Sequence, residues 1–226
     1  MPIDTPTLLT SGASTTDGTS FVTSSITPAA NKLILLFVAG TNNGSPATPT
    51  ASGNGLTYTQ VATTTWDNAR ASLTLFEAIG ASPSSGAITI SFGAQSQNSC
   101  AWDVIEVGGN INTTDPVAQS ATNTANGVNN LTVTLGAFSG SDNITLGAFV
   151  ISGGTGWTPG TGFTELSDHN VSVDAIGMCT EYQMANDTSV NATHVETNNI
   201  GGIAVEVAAP PTAGKAGSQM SLLGVG

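Results

Sequence analysis

Charge is what this chain has least of. Asp, Glu, Lys and Arg make up 8% of its residues, against about 25% in an ordinary soluble domain. Only Lys32, Arg70 and Lys215 are basic, facing 15 acidic side chains. Binding to nucleic acid needs a basic stripe that neutralises phosphates. Three scattered cations build none, which argues against DNA or RNA as a partner, and equally against an anionic membrane surface. Cysteine is as scarce. Cys100 and Cys179 lie among apolar neighbours in strand-like segments, and they read as two small buried thiols rather than a disulfide. The apolar run Leu33 to Ala39 is too short to cross a bilayer. The first ten residues, with no basic start and no apolar stretch, do not read as a secretion signal, so the chain is expected to be made and first folded in cytoplasm. Nowhere do apolar residues recur at three-and-four spacing long enough for a sizeable helix.

In place of charge the chain carries Thr, Ser, Asn and Gly, a composition it shares with disordered chains. Yet 39% of its residues are hydrophobic, and they fall in strand-sized runs, which points to a packed core. A chain of 226 residues can bury roughly 70% of the surface that its unfolded form exposes, so it needs neither disulfide nor metal to fold.

The dominant pattern is a block that occurs twice. Asn31-Lys-Leu-Ile-Leu-Leu-Phe-Val, Gly55-Leu-Thr, Leu73-Thr-Leu-Phe-Glu-Ala and Asp103-Val-Ile-Glu-Val are followed, in the same order, by Asn143-Ile-Thr-Leu-Gly-Ala-Phe-Val, Gly162-Phe-Thr, Met178-Cys-Thr-Glu-Tyr-Gln and Ala204-Val-Glu-Val. Asp17-Gly18 has a similar counterpart in Asn126-Gly127. Thr, Val and Ile favour the pleated conformation. Turn signals such as Asn42-Asn-Gly-Ser-Pro, Ser52-Gly-Asn-Gly and Ser82-Pro-Ser-Ser-Gly separate the runs. The expectation is an all-β fold: an antiparallel, jelly-roll-like β-sandwich built from two duplicated repeats of about six strands each. The chain divides into an N-terminal arm (1–16), a first repeat (17–109), a connector (110–125), a second repeat (126–208) and a flexible C-terminal tail (209–226). Leu33 to Ala39 is apolar on both faces and needs more cover than one small sandwich provides, which favours a single body.

Chemistry-bearing residues are few. Asp168-His169 with Asp174 sets a carboxylate beside an imidazole, but no nucleophile elbow accompanies it, so it reads as a polar turn. His194 and Glu196 share one strand face and read as a solvent-facing pair. Glu106 and Glu206 are matched between the repeats, as Glu77 is to Gln183. Two carboxylates can cleave a glycoside, but symmetric placement reads more simply as one strand copied twice, with each Glu facing solvent or accepting backbone hydrogen bonds at a sheet edge. The Asp- and Asn-rich segments Thr122–Asn130 and Ser139–Asn143 could hold calcium only without a recognised loop motif. No catalytic residue, metal set or cofactor motif is assigned.

Two loops stand out: Trp66-Asp67-Asn68-Ala-Arg70, and Gly153-Gly-Thr-Gly-Trp157. An aromatic beside amides and a carboxylate can stack on a sugar. Trp66, Asp67 and Trp157 are therefore candidate contacts to a partner or surface glycan, against the alternative that each Trp folds back to cap a sandwich. Trp102 alternates inward and belongs to the core. In the tail, Met220, Leu222, Leu223 and Val225 form an apolar patch suited to assembly.

Gly55-Leu-Thr-Tyr, Ala71-Ser-Leu-Thr-Leu-Phe-Glu-Ala, Ser84-Ser-Gly-Ala-Ile-Thr-Ile and Cys100-Ala-Trp-Asp-Val-Ile-Glu-Val resemble a β-rich family of tailed-phage structural proteins, over most of 17–208. The resemblance rests on strand patterns and brings no site residues. It implies a non-enzymatic virion protein: a capsid decoration or cement protein, or a fibre component. Its expected partners are the major capsid protein or neighbouring copies in a homo-oligomer, and its arms would lace onto adjoining sheet edges. A carbohydrate-binding fibre module is the competing expectation.

Overall fold

In the computed structural model, which describes residues 2–154, 156–170 and 176–211, the apolar runs become antiparallel strands, and no helix occurs among the described residues. The first half contains β1 (Thr7–Ser14), β2 (Ser20–Val22), β3 (Leu33–Thr41), β4 (Thr50–Gly53), β5 (Leu56–Thr57), β6 (Thr59–Trp66), β7 (Ala71–Ala78), β8 (Ile88–Ser91) and β9 (Ser99–Val107). An inner sheet runs β1-β9-β3-β7-β6, and an outer sheet runs β2-β8-β4-β5. The chain passes repeatedly between the two layers, which is the jelly-roll path.

The second half holds β10 (Val117–Thr134), β11 (Ile144–Ser152), β12 (Trp157–Pro159), β13 (Thr164–Asn170), β14 (Ile176–Gln183) and β15 (Ser189–Val207). Its inner order, β10-β15-β11-β14-β13, repeats that of the first half strand for strand. Here two long strands serve both layers. Residues 117–125 of β10 pair with 200–207 of β15 in the inner layer, and 130–134 pair with 189–193 in the outer one. The turn of the corner falls at Gly127, whose φ of 65° suits glycine. β12 extends the outer layer by pairing with β15.

Each half is thus a sandwich, and the two sandwiches stack by their inner sheets. Leu33, Leu35, Phe37 and Ala39 of β3 meet Ile144, Leu146, Ala148 and Val150 of β11 in one shared apolar layer. The alternate residues Ile34, Leu36 and Val38 pack under the first half's outer sheet with Phe21, Ile88 and Ile90. Phe149 and Ile151 do the same in the second half with Val133, Trp157 and Val190. The double-sided burial of Leu33 to Ala39 follows from this arrangement. Among the described residues, no strand of one half pairs into a sheet of the other, so the halves stack and do not interleave. At the rims, β6 lies against β10 and β1 against β13.

Three expectations need correction. Residues 1–16 are not a free arm. Ile3 is buried and bridges to Gly109, and β1 is hydrogen-bonded along β9. Its Thr, Ser and Gly suit a partly exposed rim strand, while Leu8 and Leu9 pack into cores on opposite faces. The connector is likewise shorter than 110–125, because β10 begins at Val117, and the segment Thr122–Asn130 is strand rather than a cation-binding loop. Finally, the textual match of Leu33 with Thr145 is out by one residue. Leu33 stands opposite Val107 as Ile144 stands opposite Val207. A slip of one exchanges the two faces of a strand, and Ile34, not Leu33, corresponds to Thr145. The same register sets Glu77 in correspondence with Tyr182 rather than Gln183.

Candidate functional site

Asp103 interrupts the apolar face of β9, and it points into the layer between the two halves, where it is wholly buried. Its Oδ2 accepts hydrogen bonds from Ser167 Oγ at 2.8 Å and Thr180 Oγ1 at 2.9 Å. Its Oδ1 lies 2.9 Å from His169 Nε2. All three partners come from β13 and β14 of the other half. The matching register gives Asp103, Thr180, Ser167 and His169 the counterparts Ile203, Leu75, Ala62 and Thr64. Of the two related places at the seam, one is therefore built from polar groups and the other is mostly apolar. A Ser, a His and an Asp do meet here, but Ser167 donates to the carboxylate and not to the imidazole. A nucleophile needs the base itself as its acceptor, so this cluster is a fastener between halves.

The repeat-matched carboxylates are also internal. Glu106 Oε2 accepts from Ala29 N at 2.7 Å, and its Oε1 lies 3.6 Å from Lys32 Nζ. Glu206 is buried and accepts from Gln119 Nε2 at 2.5 Å, from Ser139 N and Oγ at 2.8 and 2.6 Å, and from Asn143 Nδ2. Burial alone would raise its pKa, but these donors outweigh burial and hold the carboxyl below the ordinary value. In each half the glutamate grips the loop that leads into the central strand, β3 or β11. Both sit on strands flanked on each side, away from any sheet edge.

Asp168 accepts from the backbone N of Trp157 at 3.1 Å; Asp174 lies outside the described residues. His194 is buried rather than solvent-facing. Its Nδ1 accepts from Glu196 N at 3.0 Å, and its ring meets Trp157 edge-on at 5.0 Å. Glu181 sits where the first half has Phe76. It is fully buried with one donor, Gly160 N at 3.0 Å. Burial pushes its carboxyl up to about 8, with the Gly160 N–H opposing and the Asp187 carboxylate adding to the rise. Both cysteines are free and buried, and burial pushes both thiols up, with nearby carboxylates adding to the effect at Cys179. They are poor nucleophiles. No group of three or more metal-ligating side chains occurs among the described residues.

The two tryptophan loops meet only in part. Trp66 is buried in the layer between halves, where Gly201 leaves space for its ring. Trp157 is buried in the second half's outer core, beside Phe149 and His194. The indoles lie in different cores, and neither offers an open face for a sugar. What does meet is the polar part of the first loop and Gly153 at the start of the second. Asp67 and Arg70 line a cleft of about 280 Å³ with Thr41, Asn42, Asn98 and Ser152. The cleft opens at one end of the seam, with walls from both halves. Asp67, Asn68 and Ala69 all have positive φ (53°, 55° and 64°), and Asp67 Oδ1 is held by Asn199 Nδ2 at 2.5 Å. Such strain persists only where the surroundings over-determine it. The candidate assembly residues Met220, Leu222, Leu223 and Val225 lie outside the described residues.

Asp103 is the residue that sequence reasoning passed over. Its signal was available: a lone acid on the inward register of an apolar strand, the same signal that marked Glu106. Neither protein-family models nor curated proteins give a match to this chain.

Proposed function

We propose that this chain is a non-enzymatic virion structural protein, a decoration or cement protein that binds a capsid lattice. The observation that carries this reading is the use made of the interior carboxylates. Asp103, Glu106 and Glu206 are each engaged by internal donors that hold loops or halves in place. These three acids therefore serve rigidity, and no nucleophile–base pair is assembled among the described residues. Stacked jelly rolls suit a shell component, since the jelly roll is frequent in capsid and lectin domains; this is support at the level of fold and names no partner. A surface rich in neutral Thr, Ser and Asn fits contacts made by backbone pairing and shape rather than charge.

We also read the two halves as copies of one ancestral block. The strand order and the pairing register coincide. So does a β-bulge, between Gln60 and Ala62 in β6 and between Glu165 and Ser167 in β13. Bulges are retained features of a family. Because β1 belongs to a sheet, lacing falls to the segment 209–226 and the outer-sheet rims. The partners would be the major capsid protein or neighbouring copies.

Electron microscopy of particles from cells that make the protein, with and without residues 212–226, tests this. Ordered copies on the lattice, lost on truncation, are expected. A chain that stays monomeric and never joins a particle overturns the reading. Particle binding indifferent to truncation removes the role of the tail.

A further inference from the structure

Arg70 is unusual in this molecule. With a net charge of −12 the protein has ample acids to pair with its cations. Lys32 has two, Glu106 and Asp4. Arg70 is exposed in the cleft at the seam, and among the described residues its guanidinium has no ion-pair or hydrogen-bond partner. Two neighbours in the same cleft, Asn43 and Asn98, also have side-chain amides without a partner among the described residues. Asn42 differs, since its amide is used internally, on Ser96 O and on Gly44 N. Asp67 keeps Oδ2 free while Asn199 holds its other oxygen.

The backbone that carries Asp67 and Arg70 is held in place. The turn carrying Asp67 and Arg70 is closed by Arg70 N on Asp67 O at 3.1 Å, and it is tied to β3 by Asn42 N on Arg70 O at 2.8 Å. Asn199 reaches the turn from the other half. The buried Trp66 anchors it in the shared core. A backbone fixed in advance lowers the ordering cost of binding.

We infer that this cleft binds a single acidic sugar ring, with its carboxylate on Arg70. A guanidinium fork matches a carboxylate with two parallel hydrogen bonds. The free amides of Asn43 and Asn98 and the open oxygen of Asp67 supply the donors and acceptors that ring hydroxyls need. The volume of about 280 Å³ lies just below the usual range for ligand pockets, about 300 Å³ upward. It holds one ring rather than a chain. The net charge points the same way. The protein's field repels a polyanion at every repeat, but a singly charged ring only once.

This site differs from the tryptophan platform expected from sequence. It uses the polar residues of the Trp66 loop, joined by Asn43 and Asn98 from neighbouring turns, with Trp66 as a buried support. It is independent of the capsid reading and fails separately from it.

The test is ligand-observed NMR titration of the full chain with glucuronic acid, glucose and acetate, each to about 10 mM, a range that detects millimolar affinity. Glucuronic acid is expected to bind at least about tenfold more tightly than glucose or acetate. Arg70→Gln is expected to weaken it about tenfold or more, with an unchanged melting temperature because the side chain has no partner to lose. Asn98→Ala is expected to weaken it less. No binding of glucuronic acid, or binding that Arg70→Gln leaves intact, overturns the site. Acetate binding as tightly as glucuronic acid overturns the sugar assignment.

Discussion

Asp103 and His169 stand 2.9 Å apart, one from each half of the chain, and they join the halves at a position where the related strands carry Ile203 and Thr64. A carboxylate buried there without its donors is a large liability, because removing one partner of a buried polar set leaves the other desolvated and unpaired. Thr180→Val and His169→Ala are each expected to destabilise the fold by leaving the buried carboxylate short of a donor, and Asp103→Ala to cost about 1–3 kcal/mol by stranding the donors of Ser167, Thr180 and His169. Replacing the whole set by its counterparts (Asp103→Ile, Thr180→Leu, Ser167→Ala, His169→Thr) is expected to be nearly neutral or stabilising. Chemical denaturation of the single and combined variants measures the difference. A combined variant less stable than Asp103→Ala alone would contradict the idea that both seam positions are interchangeable.

Glu181 and Glu206 pull the pH dependence of stability in opposite directions. The folded Glu181 keeps a proton up to about pH 8, whereas an unfolded glutamate releases it near 4.5. The folded state therefore binds more protons through that window, and the contribution of Glu181 falls as pH rises across it. Glu206 is held below 4.5 when folded. Its contribution is complete above that value and is lost as pH falls through the folded pKa. Melting temperatures from about pH 3 to 9 should show Glu181→Gln flattening the fall between about 4.5 and 8 and Glu206→Gln flattening the fall at acid pH. Glu206→Ala should be the more harmful at neutral pH, since it strands the donors of Gln119, Ser139 and Asn143.

Removal of residues 1–16 is expected to abolish cooperative folding rather than release a mobile arm. It strips β1 from β9 along their whole register and removes Ile3, Leu8 and Leu9 from two cores. Three buried or half-buried aliphatic residues are worth about 1.5–3 kcal/mol each when fully buried, a large share of a typical net stability of about 5–15 kcal/mol. Circular dichroism melting of the truncated chain checks it; a sharp transition at the full-length temperature would refute the assignment of β1 as a structural strand.

Ala69 holds a left-handed conformation with φ 64°, which suits Asn or Gly better than Ala. The Cβ clash costs about 1–2 kcal/mol, and a glycine returns roughly 0.5–1 kcal/mol of that as lost chain entropy. Ala69→Gly is expected to raise stability by about 0.5–1 kcal/mol, read as a shift in the denaturation midpoint with an unchanged slope.

The sequence by itself determined the class of the fold and the positions of most strands, because period-two apolar runs and turn residues are local signals. It also marked Glu106 and Glu206, since a charge inside an apolar strand is visible in one dimension. It misjudged β1 and the start of β10, whose Thr, Ser, Asn and Gly read as linker, because a rim strand owes its order to a partner strand about a hundred positions away. Only the tertiary structure decided that the halves stack, which strand face meets the other half, and that Asp103 meets His169. It also decided that the two tryptophans enter separate cores while Asp67, Arg70 and Asn98 line one cleft. Those facts depend on side chains brought together across the seam, and no spacing along the chain encodes which face of one sheet lies against another.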